Sequence, residues 1–190
     1  MSYHLTLSHV GVFVTDMARM VDFYTRFLGF AVSDRGETSS GGEIVFLTRD
    51  PREHHQFVLA TGRPGETQFN NVNQLSFRVD SLATLRDLQR GLKTEQVEEL
   101  GPVSHGNALS VYFRDPEGNR VELLIDTPWY VPQPCRIPVD LSLPDETLWS
   151  TLEHDARKLP GFKPRAVWAA EIEQKIAQAT AQRRGVKAPM

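Results

Sequence analysis

Three side chains that can bind a metal ion stand at related positions of an internal repeat. His9 precedes the apolar segment Val10–Val14, and Gln74 precedes a similar segment 65 residues later. Glu122 falls in the last strand predicted for the second copy, where the first copy has Phe57. An imidazole, a carboxamide and a carboxylate together suit a divalent transition metal. The repeat therefore predicts a metal site with three protein ligands.

The repeat includes several separated segments at one offset. Residues 9–17 align without a gap with residues 74–82, residues 49–51 with 114–116, and residues 58–59 with 123–124. A shared offset predicts a duplicated supersecondary unit, because each copy must bury the same faces.

Each copy has the pattern of a β-α-β-β-β module. Val10, Val12 and Val14 alternate with other residues, as expected for a strand with one apolar face. Asp16 can cap the helix that follows, and Gly29 suits the left-handed position at the end of that helix. The predicted strands cover residues 9–14, 30–34, 44–48 and 56–60 in the first module, and residues 74–79, 96–99, 109–114 and 120–125 in the second.

Two local signals mark the second copy. Asp80 or Ser81 can cap its helix. Residues 115–119 predict a hairpin turn, because Pro116 presets φ and Gly118 accepts a positive φ.

Strand parity places the polar groups on the faces opposite the apolar ones. We expect the apolar faces to pack against the helices, and the other faces to curve into a cup with His9, Gln74 and Glu122 near its floor. A carboxylate buried beside an imidazole and an amide is costly unless something satisfies it, and a divalent cation would. Without a metal, His9 and Glu122 would form an internal pair or face a water-filled cleft.

Composition and charge exclude several classes of protein. With 40% hydrophobic and 24% charged residues, the chain has the composition of a soluble globular protein. The net charge of −3 and the lack of a basic stripe argue against nucleic acid as a partner. No apolar run is long enough to cross a membrane. Cys135 is the single cysteine, which excludes an intrachain disulfide and suits a cytoplasmic protein.

The length of 190 residues predicts one domain with an extension. We assign the domain to residues 1–126, with modules at about 5–65 and 70–126, and the extension to residues 127–190. The fold class is α+β, a curved mixed sheet cup made by the two modules. The extension begins with a proline-rich extended segment, followed by a helix from Asp145 to about Leu159 and an amphipathic helix over roughly residues 166–181. It is too short for its own core, so we expect it to pack on its domain or on a second subunit.

Four segments resemble the vicinal oxygen chelate superfamily, also called the glyoxalase/bleomycin-resistance/dioxygenase superfamily. They are residues 7–12, 22–30, 72–77 and 113–123. The resemblance covers about residues 5–126, and it implies two β-α-β-β-β modules paired around a metal cup. It also implies a homodimer, because relatives cover exposed sheet edges by pairing two chains.

Two further residues resemble the type I extradiol dioxygenases, which cleave catechols. His105 lies in a segment similar to the one that carries a histidine close to their metal site, and Tyr112 stands ten residues before Glu122, where they keep a tyrosine. The resemblance implies Fe(II) bound by His9, Gln74 and Glu122, with His105 as acid/base and Tyr112 orienting the diol. The alternatives are a solvated loop for His105 and a cavity-lining role for Tyr112.

One ligand position departs from the extradiol pattern. Gln74 stands where those enzymes have a second histidine, and a carboxamide oxygen is usually a weaker ligand for Fe(II) than imidazole. Glutamine serves as a ligand in the glyoxalase I and methylmalonyl-CoA epimerase branches, so Mn(II), Ni(II), Co(II) or Zn(II) also fits. Phe57 argues against a fourth ligand. His54 and His55 supply a replacement ligand or belong to the rim, and their alignment with a turn favours the rim.

Three functions fit these features. The first is a metal-dependent dioxygenase that cleaves catechol-type aromatic diols with O2. The second is a metal-dependent lyase or isomerase of the glyoxalase type, acting on a substrate with vicinal oxygens. The third is a non-catalytic protein that binds a small aromatic ligand, as the bleomycin-resistance proteins do.

Overall fold

The computed structural model describes residues 5–66 and 69–185, with side chains described as far as residue 181. It contains the two predicted β-α-β-β-β modules, and the predicted α+β class is confirmed. The first module comprises β1 (Val10–Val14), α1 (Met17–Asp22), β2 (Ala31–Glu37), β3 (Glu43–Thr48) and β4 (Phe57–Thr61). The second comprises β5 (Leu75–Arg78), α2 (Leu82–Leu92), β6 (Glu99–Ser104), β7 (Ala108–Arg114) and β8 (Arg120–Asp126). The extension adds β9 (Trp129–Tyr130), β10 (Ile137–Pro138), α3 (Asp145–Arg157), β11 (Lys163–Pro164) and α4 (Arg165–Gly185).

The strand orders of the two modules are the same. One sheet has the order β1-β4-β3-β2, and the other has the order β10-β6-β7-β8-β5. Apart from β10, each sheet places the first strand of its module beside the last. This shared order confirms the duplicated unit predicted from the common offset.

The start and end of the first helix follow the predicted signals. The carboxylate of Asp16 accepts a hydrogen bond from the backbone N–H of Arg19 at 3.0 Å, which caps α1. The helix continues as a π-helical segment, Phe23–Phe27. Gly29 then takes a φ of 69°, the left-handed conformation that glycine adopts without steric cost.

The position of β6 differs from the prediction. It runs over Glu99–Ser104 rather than residues 96–99. Gln96 has a φ of 54°, so the chain is still turning after α2 at the point where the strand was expected. The segment leading to His105 is consequently a strand rather than a solvated loop.

The chain forms two compact units. The first consists of the described parts of Met1–Leu75, Arg90–Glu99 and Phe113–Glu122. Its apolar centre includes side chains with no exposed surface, namely Val14, Tyr24, Val45, Leu47, Phe57, Leu59 and Phe113. Gly11 and Phe13, which alternate with the β1 valines, are exposed, and Phe13 keeps 63% of its surface. The predicted alternation of β1 is confirmed.

The predicted turn after β7 is buried in the first unit. The hydroxyl of Tyr24 donates to the carboxylate of Asp115 at 3.0 Å, and the same carboxylate accepts hydrogen bonds from Asn119 and from the N–H of Glu117. The carboxylate of Glu117 accepts from the N–H groups of Thr15 and Asp16, both at 2.7 Å. Hydrogen bonds from this turn therefore join the second module to the start of the first helix.

The second unit consists of the described parts of Ser76–Gln89, Leu100–Tyr112 and Leu123–Met190, and it contains the extension. β10 pairs with β6 in antiparallel fashion. The hydroxyl of Thr127 donates to the carbonyl of Gly106 at 2.7 Å, and the guanidinium of Arg86 donates to the carbonyls of Leu141 and Leu143. The extension thus packs on the second module.

The last helix is largely solvated. Side chains 173–181 of α4 are all exposed, so no amphipathic face is buried over that stretch. No helix within residues 5–66 and 69–185 is both long and apolar enough to cross a bilayer.

Candidate active site

The register of β1 and β4 determines which way the first module's side chains point. These parallel strands place Val10 beside Phe57 and Val12 beside Leu59, so these four residues share one face. The ring of Phe57 has no exposed surface, and its centroid lies 4.6 Å from that of Tyr24. Phe57 therefore belongs to the apolar centre.

The second module has a different register. The amide nitrogen of Gln74 donates to the carboxylate of Glu122 at 3.0 Å, and Arg78 contacts Asp126 at 2.8 Å. Gln74 therefore shares one face with Glu122. In the first module the residues at the corresponding repeat positions, His9 and Phe57, lie on opposite faces, because Phe57 pairs with Val10 instead. Phe57 and Glu122 thus point to opposite faces of their sheets, and the predicted equivalence of their positions is wrong. By the same alternation, Gln56, the residue before Phe57, falls on the face of His9.

Gln74 and Glu122 form the centre of the candidate metal site. Glu122 lies in β8 with 5% of its surface exposed, and Gln74 immediately precedes β5. Because the amide nitrogen faces the carboxylate, the carbonyl oxygen of Gln74 points to the other side of the amide group. The predicted proximity of these two side chains is confirmed, while their role as ligands stays a prediction.

His9 lies immediately before β1, is exposed and contacts a second histidine. The ring centroids of His9 and His55 are 4.2 Å apart, and Nδ1 of His55 lies 2.8 Å from Nδ1 of His54. Burial first, and then the neighbouring His9 and His54, lower the pKa of His55. A lowered pKa favours the neutral imidazole, which is the form that binds metals.

The donor chemistry of the three predicted ligands fits a divalent metal. The nearly buried carboxylate of Glu122 needs hydrogen bonds or a cation, and Gln74 supplies one hydrogen bond. An imidazole, an amide oxygen and a carboxylate suit Fe(II) or Mn(II). In the part of the chain that the structure describes, no three His, Cys, Asp or Glu side chains form a group that could hold a metal. Two of the three predicted ligands, His9 and Glu122, are of these four residue types, and the third, Gln74, is not.

His105 and Tyr112 form a second polar pair. Nε2 of His105 lies 2.9 Å from the hydroxyl of Tyr112, and Nδ1 lies 2.6 Å from the carbonyl oxygen of Cys135. Tyr112 is 3% exposed, and His105 is half-buried just after β6. The guanidinium of Arg136 lies 5.3 Å from the centroid of the Tyr112 ring. The resemblance named this pair, and the structure places its members in hydrogen-bond contact.

Sequence reasoning missed the residues of the extension that contact this pair. The segment from Gln133 to Arg136 has no counterpart in the repeat, so no pattern linked it to His105. Cys135 contributes its carbonyl, while burial raises the pKa of its thiol and keeps the sulfur in its unreactive protonated form.

Similarity to known proteins covers the two modules. A profile of the Glyoxalase/Bleomycin resistance protein/Dioxygenase superfamily matches residues 6–123. Over 124 residues, 63% of this chain, the sequence is 32% identical to biphenyl-2,3-diol 1,2-dioxygenase 2 of Rhodococcus globerulus. The match spans 62% of that relative's length.

Two solved structures have the same fold. A glyoxylase/bleomycin resistance protein/dioxygenase domain from Frankia sp. EAN1pec aligns with a TM-score of 0.58 and 21% identity, over 66% of this chain and all of its own. A variant of the fosfomycin resistance protein FosX from Listeria monocytogenes, in complex with Mn(II) and 1S,2S-dihydroxypropylphosphonic acid, aligns with a TM-score of 0.54 and 17% identity, over 66% of this chain and 95% of its own. The profile match covers more than half of the chain, and the chain therefore belongs to the Glyoxalase/Bleomycin resistance protein/Dioxygenase superfamily.

Proposed function

We propose that this protein is a metal-dependent dioxygenase that cleaves a catechol-type aromatic diol with O2. The observation that carries this proposal is the hydrogen bond of 2.9 Å between His105 and Tyr112. It joins the two residues that the extradiol pattern pairs, and a relative with 32% identity is named a biphenyl-2,3-diol dioxygenase.

In this proposal the two polar pairs have different tasks. Gln74 and Glu122, together with His9, hold Fe(II), which when bound supplies open positions for the vicinal oxygens and for O2. The Tyr112 hydroxyl orients the diol by a hydrogen bond. His105, through Nε2, accepts or returns a proton during the reaction, which is the acid/base role that the extradiol resemblance implies.

Oxygen consumption with defined diols tests the reaction. The protein is loaded with Fe(II) without oxygen and then mixed with aerated buffer and a series of one-ring and two-ring catechols. We expect consumption of one O2 per diol and a yellow ring-opened product that contains both oxygen atoms. Inactivity with every diol of the series would contradict the proposal.

Substitution of Glu122 tests the metal site independently of activity. Glu122→Gln removes the charge but keeps the shape, and we expect stoichiometric metal to be lost, with affinity reduced by at least roughly a hundredfold. The matched control is Glu173→Gln on the exposed part of α4, which should retain metal. Metal content by mass spectrometry after dialysis distinguishes the two variants. Equal metal content in both would contradict the assignment of Glu122.

A second function is favoured by Gln74. Its neutral carboxamide is a poorer ligand for Fe(II) than imidazole, and the Mn(II) in the FosX relative shows that the fold accepts other metals. A lyase or isomerase would retain activity without oxygen when loaded with Mn(II), Ni(II) or Co(II). Gln74→His restores the extradiol ligand set, so it should tighten Fe(II) binding if the protein is a dioxygenase.

Two remaining expectations have direct tests. A non-catalytic binding protein would contain no metal after purification without chelators, whereas stoichiometric metal excludes it. The homodimer expected from the resemblance stays a prediction, and the mass of the protein in solution by light scattering tests it.

A further inference from the structure

The extension reaches the His105–Tyr112 pair through one short segment, residues 133–136. Three of its residues contact the pair: Gln133 donates to the backbone carbonyl of His105 at 2.7 Å, Cys135 provides the oxygen beside Nδ1, and Arg136 lies over the Tyr112 ring. This segment lies outside residues 6–123, which match the superfamily. Its contacts are therefore a feature of this chain in addition to the family pattern.

The carbonyl of Cys135 decides which nitrogen of His105 carries the proton. A carbonyl oxygen accepts hydrogen bonds and cannot donate, so Nδ1, at 2.6 Å, must be the donor. In the neutral imidazole, Nε2 then has the lone pair and accepts the hydrogen bond from the hydroxyl of Tyr112. The other tautomer would set the lone pair of Nδ1 against the carbonyl oxygen of Cys135, two acceptors at 2.6 Å, and the Tyr112 hydroxyl could not offset this, because it can accept as well as donate.

The side chain of Gln133 holds the two peptides that fix this geometry. Its Nε2 donates to the carbonyl of His105 at 2.7 Å, and its Oε1 accepts from the N–H of Cys135 at 3.1 Å. The same amide nitrogen lies 3.3 Å from Oδ1 of Asn107 and 3.3 Å from the carbonyl of Val131. The side-chain amide of Gln133 thus connects the backbone of His105 to the backbone of Cys135, whose carbonyl accepts from Nδ1 of His105.

We propose that Gln133 is a positioning residue that fixes His105 as the Nδ1–H tautomer and aims its Nε2 at Tyr112. The proposal rests on the proposed function for the importance of His105 in the reaction, but the tautomer itself is independent of any activity. This role makes the extension a functional part of the protein, because the path of residues 133–136 determines the tautomer and the orientation of His105.

Nuclear magnetic resonance of the imidazole nitrogens tests the tautomer directly. The full-length protein is labelled with 15N-histidine and recorded without metal and with diamagnetic Zn(II), and His105→Gln assigns the signals. In the unsubstituted protein we expect the neutral His105 to be almost entirely Nδ1–H. In Gln133→Met, the Nε2–H share should rise by roughly three- to tenfold, the range expected for the loss of one net hydrogen bond. The matched control, Gln174→Met on exposed α4, should leave the ratio unchanged.

Two outcomes would overturn the proposal. One is an Nε2–H tautomer in the unsubstituted protein, and the other is the same tautomer ratio in Gln133→Met as in the control. Should Gln133→Met fail to fold, Gln133→Glu retains an acceptor for the N–H of Cys135 and removes the donor to His105. The same rise in the Nε2–H share is expected there, and an unchanged ratio would again overturn the proposal.

Activity measurements separate this proposal from the proposed function. If the protein is a dioxygenase, Gln133→Met should lower kcat and alter its pH profile more than it alters KM, because the diol still binds. A tautomer shift in a protein that cleaves no diol would support the role of Gln133 and refute the dioxygenase. Dioxygenase activity together with an unchanged tautomer ratio and pH profile in Gln133→Met would support the dioxygenase and refute the role of Gln133.

Discussion

The two modules have the same strand order but differ by one residue in register. In the first module, Val10 lies beside Phe57. In the second, Gln74 contacts Glu122, although the repeat aligns Gln74 with His9 and Glu122 with Phe57, so the pairing is shifted by one residue. Because neighbouring residues of a strand point to opposite faces, a shift of one residue exchanges the faces. The same repeat position therefore carries a core phenylalanine in one module and a polar, metal-capable carboxylate in the other.

A second pair of equivalent residues shows the same divergence. Asp50 and Asp115 each precede a proline at the same offset of the repeat. Hydrogen bonds from Arg52 lower the pKa of the half-buried Asp50 to about 2. Asp115 is 3% exposed, and burial raises its pKa although several donors act in the opposite direction. The duplicated turn is thus a surface ion pair in one module and a buried hydrogen-bond centre in the other.

Substituting glutamate for Phe57 should give the largest loss of stability among the tests of the register difference. Phe57→Glu should destabilise the protein by at least roughly 4 kcal/mol, because it removes a buried ring and places an unpaired charge beside Tyr24. Gln56→Glu should be nearly neutral, since that half-buried residue keeps an acceptor for the N–H of Arg49. Urea unfolding measures both. A well-tolerated Phe57→Glu would show that Phe57 and Glu122 occupy equivalent positions after all.

Alanine at the two aspartates tests the difference between the turns. Asp115→Ala leaves the buried hydroxyl of Tyr24 and the side-chain amide of Asn119 without their acceptor, and should cost about 3 kcal/mol of unfolding free energy. Asp50→Ala should have a much smaller effect, because its partner Arg52 is exposed. Comparable losses in the two variants would contradict the asymmetry.

The smallest expected effect is a pH dependence of stability caused by Asp115. Its folded pKa lies above its unfolded value of about 4, so the folded state binds the proton more tightly. Stability from this group is present below about pH 4 and is lost as the pH rises through the folded pKa. The difference in unfolding free energy between the native protein and Asp115→Asn should therefore decrease over that range. A difference that is constant or increases with pH would show that the pKa of Asp115 is not raised in the folded protein.

Much of the fold could be predicted from local patterns. The alternation of Val10, Val12 and Val14 identified the buried face of β1, and Asp16 and Gly29 marked the helix between the first two strands. These signals depend on neighbours within a few residues, so they survive without knowledge of the tertiary structure. β6 was misplaced because the turn at Gln96 has no glycine or proline to mark it.

The candidate site was partly accessible in the same way. The repeat singled out Gln74 and Glu122, the resemblance added His105 and Tyr112, and the structure places each of these pairs in hydrogen-bond contact. The sequence left open whether His54 and His55 supply a ligand or belong to the rim, and the contact of the His55 ring with His9 depends on the path of the turn before β4.

The sequence by itself determined the number of modules, the faces of β1, β5 and β8, and the superfamily, because periodicity and a common offset are properties of the chain alone. The tertiary structure decided the register that turns Phe57 inward, and it decided that Gln133 and Cys135 meet His105. Such contacts join segments far apart in the chain, and their formation depends on how strands align and where connections run. A shift of one residue in β4 or a different path after β8 would leave the composition unchanged and give a different site.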